Sequence, residues 1–220
     1  MVCRDIIIDA GKSLVTQHLE NQKGSDSVKT KSTNIIMQNK NIIRIALAVA
    51  FILLLPLLAM QITDGVAWDM ADFAVAGALL FGTGLAYELV ARKAGIIAYR
   101  AAVGVALAAA LLLVWMNLAV GIIGSEDNPA NLMYIGVLAV VIIGALIAHF
   151  RPHGMARALF ATALAQALVA VIALIAERYL AVFELLILNG FFIALWVGSA
   201  LLFRRANATL LRQKGNHTAA

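Results

Sequence analysis

The sequence has little charge and almost no cysteine. Asp, Glu, Lys and Arg make up 13% of its 220 residues, which is about half their share in soluble domains. A single cysteine, Cys3, excludes a disulfide scaffold. Apolar residues make up 63% of the chain, and the mean hydropathy is +0.92. Because a soluble globule could not cover its surface with so few polar groups, the composition predicts a membrane protein.

Six apolar runs are each long enough to cross about 30 Å of hydrocarbon, which takes about 20 helical residues. The connectors between them are too short to fold as domains. The sequence therefore predicts an all-α polytopic membrane protein, a bundle of six transmembrane helices within residues 37–205. The predicted spans are residues 42–62, 71–91, 99–123, 131–150, 155–176 and 180–203.

The positive charges distinguish the two sides of this predicted bundle. When the six spans are threaded in order, all 17 Lys and Arg residues except Arg178 fall on the side of the two termini. Lys and Arg are retained on the cytoplasmic side, so both termini are expected in the cytoplasm. The net charge of +5 is explained by this placement at span ends, and no nucleic-acid partner is expected.

The two ends of the chain are polar. Residues 1–36 have no apolar stripe of helical period, which predicts a disordered N-terminal tail, or else Met37 is the native start. Residues 206–220 are predicted to form a polar C-terminal tail. The first span is expected to remain as an uncleaved anchor, because Leu57 or Leu58 occupies a position where signal peptidase requires a small residue.

Two amide side chains interrupt the apolar runs near the middle of their spans. Gln166 lies in the fifth span and Asn189 in the sixth. An amide in hydrocarbon needs a hydrogen-bond partner, and adjacent spans bring these two to a similar depth. Two interpretations stay open, namely a single interhelical hydrogen bond and a polar cavity that admits a solute.

Ionisable residues are nearly absent from the spans. Glu88 is the deepest, about one turn from the cytoplasmic end of the second span, and Arg92 follows four residues later. This spacing predicts an ion pair at the membrane surface. The alternative is a cytoplasmic gate or a proton site.

The segment from Trp115 to Asn131 is the most distinctive part of the chain. Asn128 suits a helix N-cap and Pro129 the first helical position, so the fourth span is expected to begin there. Gly121 and Gly124 allow the third span to unwind. The run Trp-x-Asn-x-Ala-Val-Gly-Ile-Ile-Gly-Ser-Glu-Asp-Asn-Pro-Ala-Asn resembles a family of uncharacterised small bacterial inner-membrane proteins with six spans, and the likeness covers about residues 71–203. The resemblance implies a bacterial inner membrane but no activity.

The side opposite the termini carries an excess of carboxylates. Convergent carboxylate and amide oxygens could bind a divalent cation, whereas acids in loops are also ordinary helix caps. No EF-hand spacing is present, and we expect no metal site. The candidate outer acidic rim consists of Asp72, Asn117, Glu126, Asp127, Asn131 and Glu184.

The sequence contains no motif for catalysis or for a cofactor. His149 and His153 are four residues apart, but Pro152 disfavours a helix that would place them on one face. The chain has no phosphate-binding Gly-Lys-Ser/Thr loop and no dinucleotide fingerprint. We therefore expect no catalytic residues, no cofactor and no enzymatic activity.

Two functions fit these observations. The first is a non-enzymatic accessory or scaffold component of the membrane, which works through a membrane-protein partner or as a homo-oligomer within the lipid bilayer. The second is a small transporter or channel for a small neutral solute or a cation. They differ in whether Gln166 and Asn189 are enclosed by protein or reached by water.

Overall fold

A computed structural model describes residues 40–63, 67–91, 95–124, 127–176 and 182–218. These residues include six helices long and apolar enough to cross a membrane, which confirms the predicted all-α architecture. The predicted N-terminal tail lies outside the described residues. The helices are α1 (Lys40–Ile62), α2 (Met70–Ala91), α3 (Ile97–Ala119), α4 (Met133–Ile147), α5 (Pro152–Ala176) and α6 (Val182–Thr218).

The chain divides into two compact units, residues 1–62 and residues 63–220. The first unit contains α1, a single apolar helix with none of its membrane-spanning window buried. The second unit contains α2 to α6. Within this unit α6 packs against both α5 and α3, α4 packs on α5, and α2 packs on α3.

One face of α6 is buried from Leu185 to Ala206, and the rest of the helix up to Thr218 extends beyond this buried stretch. Its residues alternate in steps of three and four, and this repeat keeps one side of a helix turned towards its neighbours. Towards α3, Ser199 Oγ donates a 2.7 Å hydrogen bond to the carbonyl oxygen of Ala102. The buried residues of this face are Leu185, Asn189, Phe192, Trp196, Ser199, Phe203 and Ala206.

The start of α3, the turn between α4 and α5, and Phe203 of α6 meet at one end of the second unit. The Tyr99 ring, at the start of α3, packs edge-on against Phe203 with ring centroids 5.1 Å apart. Its hydroxyl donates a 2.7 Å hydrogen bond to the carbonyl oxygen of Phe150, in the turn between α4 and α5. That turn contains two left-handed residues, His149 and Phe150, with φ of 47° and 57°. It therefore ends α4 three residues before the predicted boundary.

Helix α6 does not end where its apolar run ends. A polar tail was predicted from residue 206, but the helix continues without interruption to Thr218. No proline follows Phe203, and Ala, Leu, Arg, Gln and Lys in this stretch are good helix formers. The change of polarity marks the end of the apolar run and not the end of the helix.

Small residues allow α4 and α5 to approach closely. A Cβ atom placed on Gly144 would lie 2.7 Å from the Cβ of Ala158, which is closer than side chains tolerate. A Cβ placed on Gly136, on the same helix, would meet nothing within 4 Å. Of these two glycines, only Gly144 is required by the packing.

Candidate functional site

A buried polar cluster joins α4, α5 and α6. Gln166 Nε2 donates a 2.9 Å hydrogen bond to Asn189 Oδ1, and the Tyr134 hydroxyl donates a 3.0 Å bond to the same oxygen. Asn189 Nδ2 donates in turn to the carbonyl oxygen of Leu185, 2.9 Å away on its own helix. The structure thus brings together the two amides singled out in the sequence and adds a tyrosine.

The cluster is enclosed and carries no formal charge. Tyr134 and Gln166 are 0% exposed, and Asn189 is 1% exposed. Among the described residues, Gln166 Oε1 has no hydrogen-bond partner. Asn189 lies about 5 Å from the midpoint of the apolar segment 182–203, towards its beginning. The amides therefore lie near the middle of the span, slightly nearer to the end at which α6 begins.

Tyr134 was not predicted to belong to this cluster. It lies one residue inside α4, where tyrosine usually indicates the membrane–water interface. Its long side chain reaches inwards from that end, because its ring belongs to the face of α4 that is buried with Val137. A sequence-based signal existed in the three-residue spacing of Tyr134 and Val137, but it did not identify the partner.

A second set of polar groups holds the loop between α3 and α4. The side-chain oxygen of Asn131 accepts hydrogen bonds from the backbone N–H groups of Ile122 (3.0 Å) and Ile123 (2.9 Å). Asn117 Nδ2 donates to the carbonyl oxygen of Asn131 at 3.3 Å. Asn131 is 4% exposed. The two asparagines assigned to the outer acidic rim therefore do lie together, but they bind backbone groups of the loop.

The cap predicted at Asn128 is present, but it begins a short 3-10 turn, and α4 itself begins at Met133. Asn128 caps a short 3-10 turn, Pro129–Leu132, and its side chain accepts a 2.9 Å hydrogen bond from the Ala130 N–H. Pro129 occupies the first position of that turn. Gly121 and Gly124 both have φ of 73°, a conformation that other residues rarely adopt. The loop thus depends on these glycines as the sequence indicated.

Asp72 has a local structural role at the start of α2. Asp69 Oδ1 accepts from the Asp72 N–H, and Asp72 Oδ2 accepts from the Asp69 N–H, both at 2.9 Å. This is a reciprocal capping box. Trp68 packs on Phe73 across it, with centroids 5.2 Å apart, as a hydrophobic staple, and it also contacts Trp115 of α3 at 5.4 Å.

The rim does not form a cluster of acidic groups among the described residues. Asp127 and Glu184 are exposed, and Glu126 lies outside the described part of the chain. No group of three His, Cys, Asp or Glu residues that could hold a metal ion occurs in the part that is described. Caps and loop contacts account for Asp72 and Asn131. Asn117 donates to the loop through Nδ2, while its buried Oδ1 has no hydrogen-bond partner among the described residues.

The remaining candidates are separated or undescribed. Arg92 lies outside the described residues, so its pairing with Glu88 stays a prediction. His149 lies in the turn after α4, and His153 lies in the first turn of α5. The two histidines therefore do not share one helix face.

Comparison with known proteins gives no relative. Neither a family model, nor a curated protein, nor a solved structure matches the chain. The resemblance to small bacterial inner-membrane proteins stays a prediction. The function is therefore inferred from the residues of this chain alone.

Proposed function

We propose that this chain is a non-enzymatic accessory or scaffold component of the bacterial cytoplasmic membrane, with both termini in the cytoplasm. It acts by contact with a membrane-protein partner or with a second copy of itself. The observation that carries this proposal is the enclosure of Gln166 and Asn189, which are hydrogen-bonded to each other, with Asn189 also accepting from the Tyr134 hydroxyl.

A transport path for a polar solute needs polar groups that the solute can reach. The deepest polar side chains of the second unit instead use each other as partners, as expected for interhelical hydrogen bonds that stabilise a packed bundle. Asn131 in the α3–α4 loop and Asp69 and Asp72 at the start of α2 likewise accept hydrogen bonds from backbone N–H groups. These contacts favour a structural role over transport or catalysis.

One observation favours the second candidate function, a small transporter or channel. Gln166 Oε1 is buried and has no hydrogen-bond partner among the described residues. A buried carbonyl oxygen without a partner costs about 1–3 kcal/mol, and a solute or a water molecule could supply the missing donor. In that case water would reach the cluster from one side of the membrane.

Thiol labelling separates the two functions. Cys3 is the only cysteine of the chain. The substitution Cys3→Ser therefore removes the native thiol, and each variant then carries a single introduced cysteine. We expect the variant Asn189→Cys to react with a small, water-soluble methanethiosulfonate reagent no faster than Phe192→Cys, which is a buried apolar position on the same helix. Gln213→Cys, at an exposed position near the end of α6, serves as the reactive control.

Labelling of Asn189→Cys at a rate near that of Gln213→Cys would refute the enclosed cluster and favour transport. A scaffold role also predicts that the chain, extracted in mild detergent, migrates in a complex of defined mass above that of the monomer. A monomer at all extraction conditions would contradict it. Uptake of a small solute by liposomes that contain the pure chain would establish the transporter instead, if Asn189→Leu abolished that uptake.

A further inference from the structure

The part of α6 beyond Phe203 is basic. It contains Arg204, Arg205 and Arg212, and the last acidic residue of the sequence is Glu184, twenty residues before Arg204. The helix therefore leaves the bundle without a carboxylate of its own to neutralise the guanidinium groups. Its charge complements an anionic surface.

The first two arginines lie on the side of α6 that faces away from the bundle. Leu201, Arg204, Arg205 and Ala208 follow each other at helical spacings of three, one and three residues, so they share one face. All four are exposed, whereas Phe203 and the opposite face are buried. In a membrane, the exposed Leu201 contacts lipid tails, and the two arginines continue the same face by one turn.

The depth of these arginines follows from the length of the apolar segment. Residues 182–203 rise about 33 Å as a helix, which matches the hydrocarbon thickness of about 30 Å. Phe203 also lies level with the start of α3 and with the α4–α5 turn, through its contact with Tyr99. Arg204 and Arg205 thus come where the hydrocarbon ends and the lipid phosphates begin.

Arg212 is exposed on the same side of α6, but it lies farther along the helix. Its Cα is about 10–12 Å beyond those of Arg204 and Arg205, whereas the headgroup layer on one side of a bilayer is about 5–8 Å thick. The same helix therefore offers two arginines at the phosphate level and one beyond it.

We propose that Arg204 and Arg205, together with the lipid-facing side of α6 at Leu201 and Ala208, form a binding site for the headgroup of an anionic phospholipid. A guanidinium group donates two parallel hydrogen bonds to a phosphate, and the neighbouring leucine contacts the acyl chain of the same lipid. The small Ala208 leaves the space between the arginines open. A second copy of this chain does not fit as occupant, because it would bring the same positive charge to this face.

The test uses the full chain in a neutral detergent and native mass spectrometry to measure lipid binding. Phosphatidylglycerol and phosphatidylcholine with identical acyl chains are the two probes. The wild type is expected to bind phosphatidylglycerol more tightly. Each basic residue near a lipid surface contributes about fivefold in affinity. The affinity of the double variant Arg204→Gln/Arg205→Gln for phosphatidylglycerol should therefore fall about 30-fold, and its affinity for phosphatidylcholine should change little.

Arg212→Gln is the control on the same helix. Its affinity for phosphatidylglycerol is expected to fall less than about threefold, because the charge of Arg212 lies beyond the headgroups. Equal affinity of the wild type for the two lipids would overturn the proposal without any variant. The proposal would also be overturned if Arg212→Gln lowered the affinity as much as each substitution in the double variant does. Displacement of phosphatidylglycerol by inorganic phosphate or by polyglutamate at equal concentration would assign the site to a free anion or an acidic protein instead.

Discussion

Replacing Asn189 alone should destabilise the chain more than replacing Asn189 and Gln166 together. Asn189 Oδ1 accepts from both Gln166 and Tyr134. The substitution Asn189→Leu removes both bonds and leaves the Gln166 amide without a partner among apolar side chains. Tyr134 has a further interaction in the structure and is affected less. Adding Gln166→Leu removes the amide that the first substitution leaves unpaired.

The magnitudes follow from the contacts. Interhelical hydrogen bonds in membranes contribute about 0.6 kcal/mol each, and a buried amide without a partner costs about 1–3 kcal/mol. Asn189→Leu should therefore lower the free energy of unfolding by about 2–4 kcal/mol. The double variant should lower it by about 1 kcal/mol. Gln166→Leu alone should change it little, because it removes one bond and also one carbonyl oxygen that has no partner.

The assay is reversible unfolding in mixed micelles with increasing dodecyl sulfate, followed by far-ultraviolet circular dichroism. The double-mutant cycle should give a coupling free energy of at least about 1 kcal/mol. Ser199→Ala, which removes a bond to α3 instead, should combine additively with Asn189→Leu within about 0.5 kcal/mol. If the double variant proves no more stable than Asn189→Leu, the Gln166 amide is not left unpaired and the reasoning about the cluster is wrong.

Two further predictions use matched pairs of variants in the same unfolding assay. Asn131→Ala leaves two buried backbone N–H groups without their acceptor and should lower the free energy of unfolding by about 2–4 kcal/mol. The N-cap variant Asn128→Ala should lower it by about 1 kcal/mol, and equal losses of stability would show that Asn131 does not hold the loop. Gly144→Ala should lower the free energy of unfolding by about 1–3 kcal/mol because its Cβ would meet Ala158, whereas Gly136→Ala should be neutral or slightly stabilising. A neutral Gly144→Ala would refute the close approach of α4 and α5.

The six helices were predictable because membrane insertion depends on local composition. About 20 consecutive apolar residues suffice to define a span, whatever its neighbours are. The ends were less predictable. Hydropathy places the end of the sixth span near Phe203, but backbone hydrogen bonding continues through polar residues to Thr218. Polarity reports the solvent around a helix, whereas its length depends on proline, glycine and helix propensity.

The pairing of Gln166 with Asn189 was predictable from depth alone. Adjacent antiparallel spans fix which residues lie at the same level, and two amides in hydrocarbon have few other partners. Tyr134 was missed because it lies at the end of α4, where a tyrosine is equally consistent with the membrane interface. To assign Tyr134 to the cluster, one must know which side of α4 faces the other helices. That orientation is determined by the packing of α4 against α5.

The outer acidic rim shows why local chemistry alone does not predict a binding site. Trp68, Asp69, Asp72 and Phe73 have the spacing of a capping box with a hydrophobic staple, which explains Asp72 without a ligand. Asn131 is different, because its partners lie eight and nine residues earlier and no local pattern identifies them. Its side-chain oxygen already accepts two backbone hydrogen bonds and so has no lone pair left for a cation. The buried N–H groups of the loop thus determine the role of Asn131.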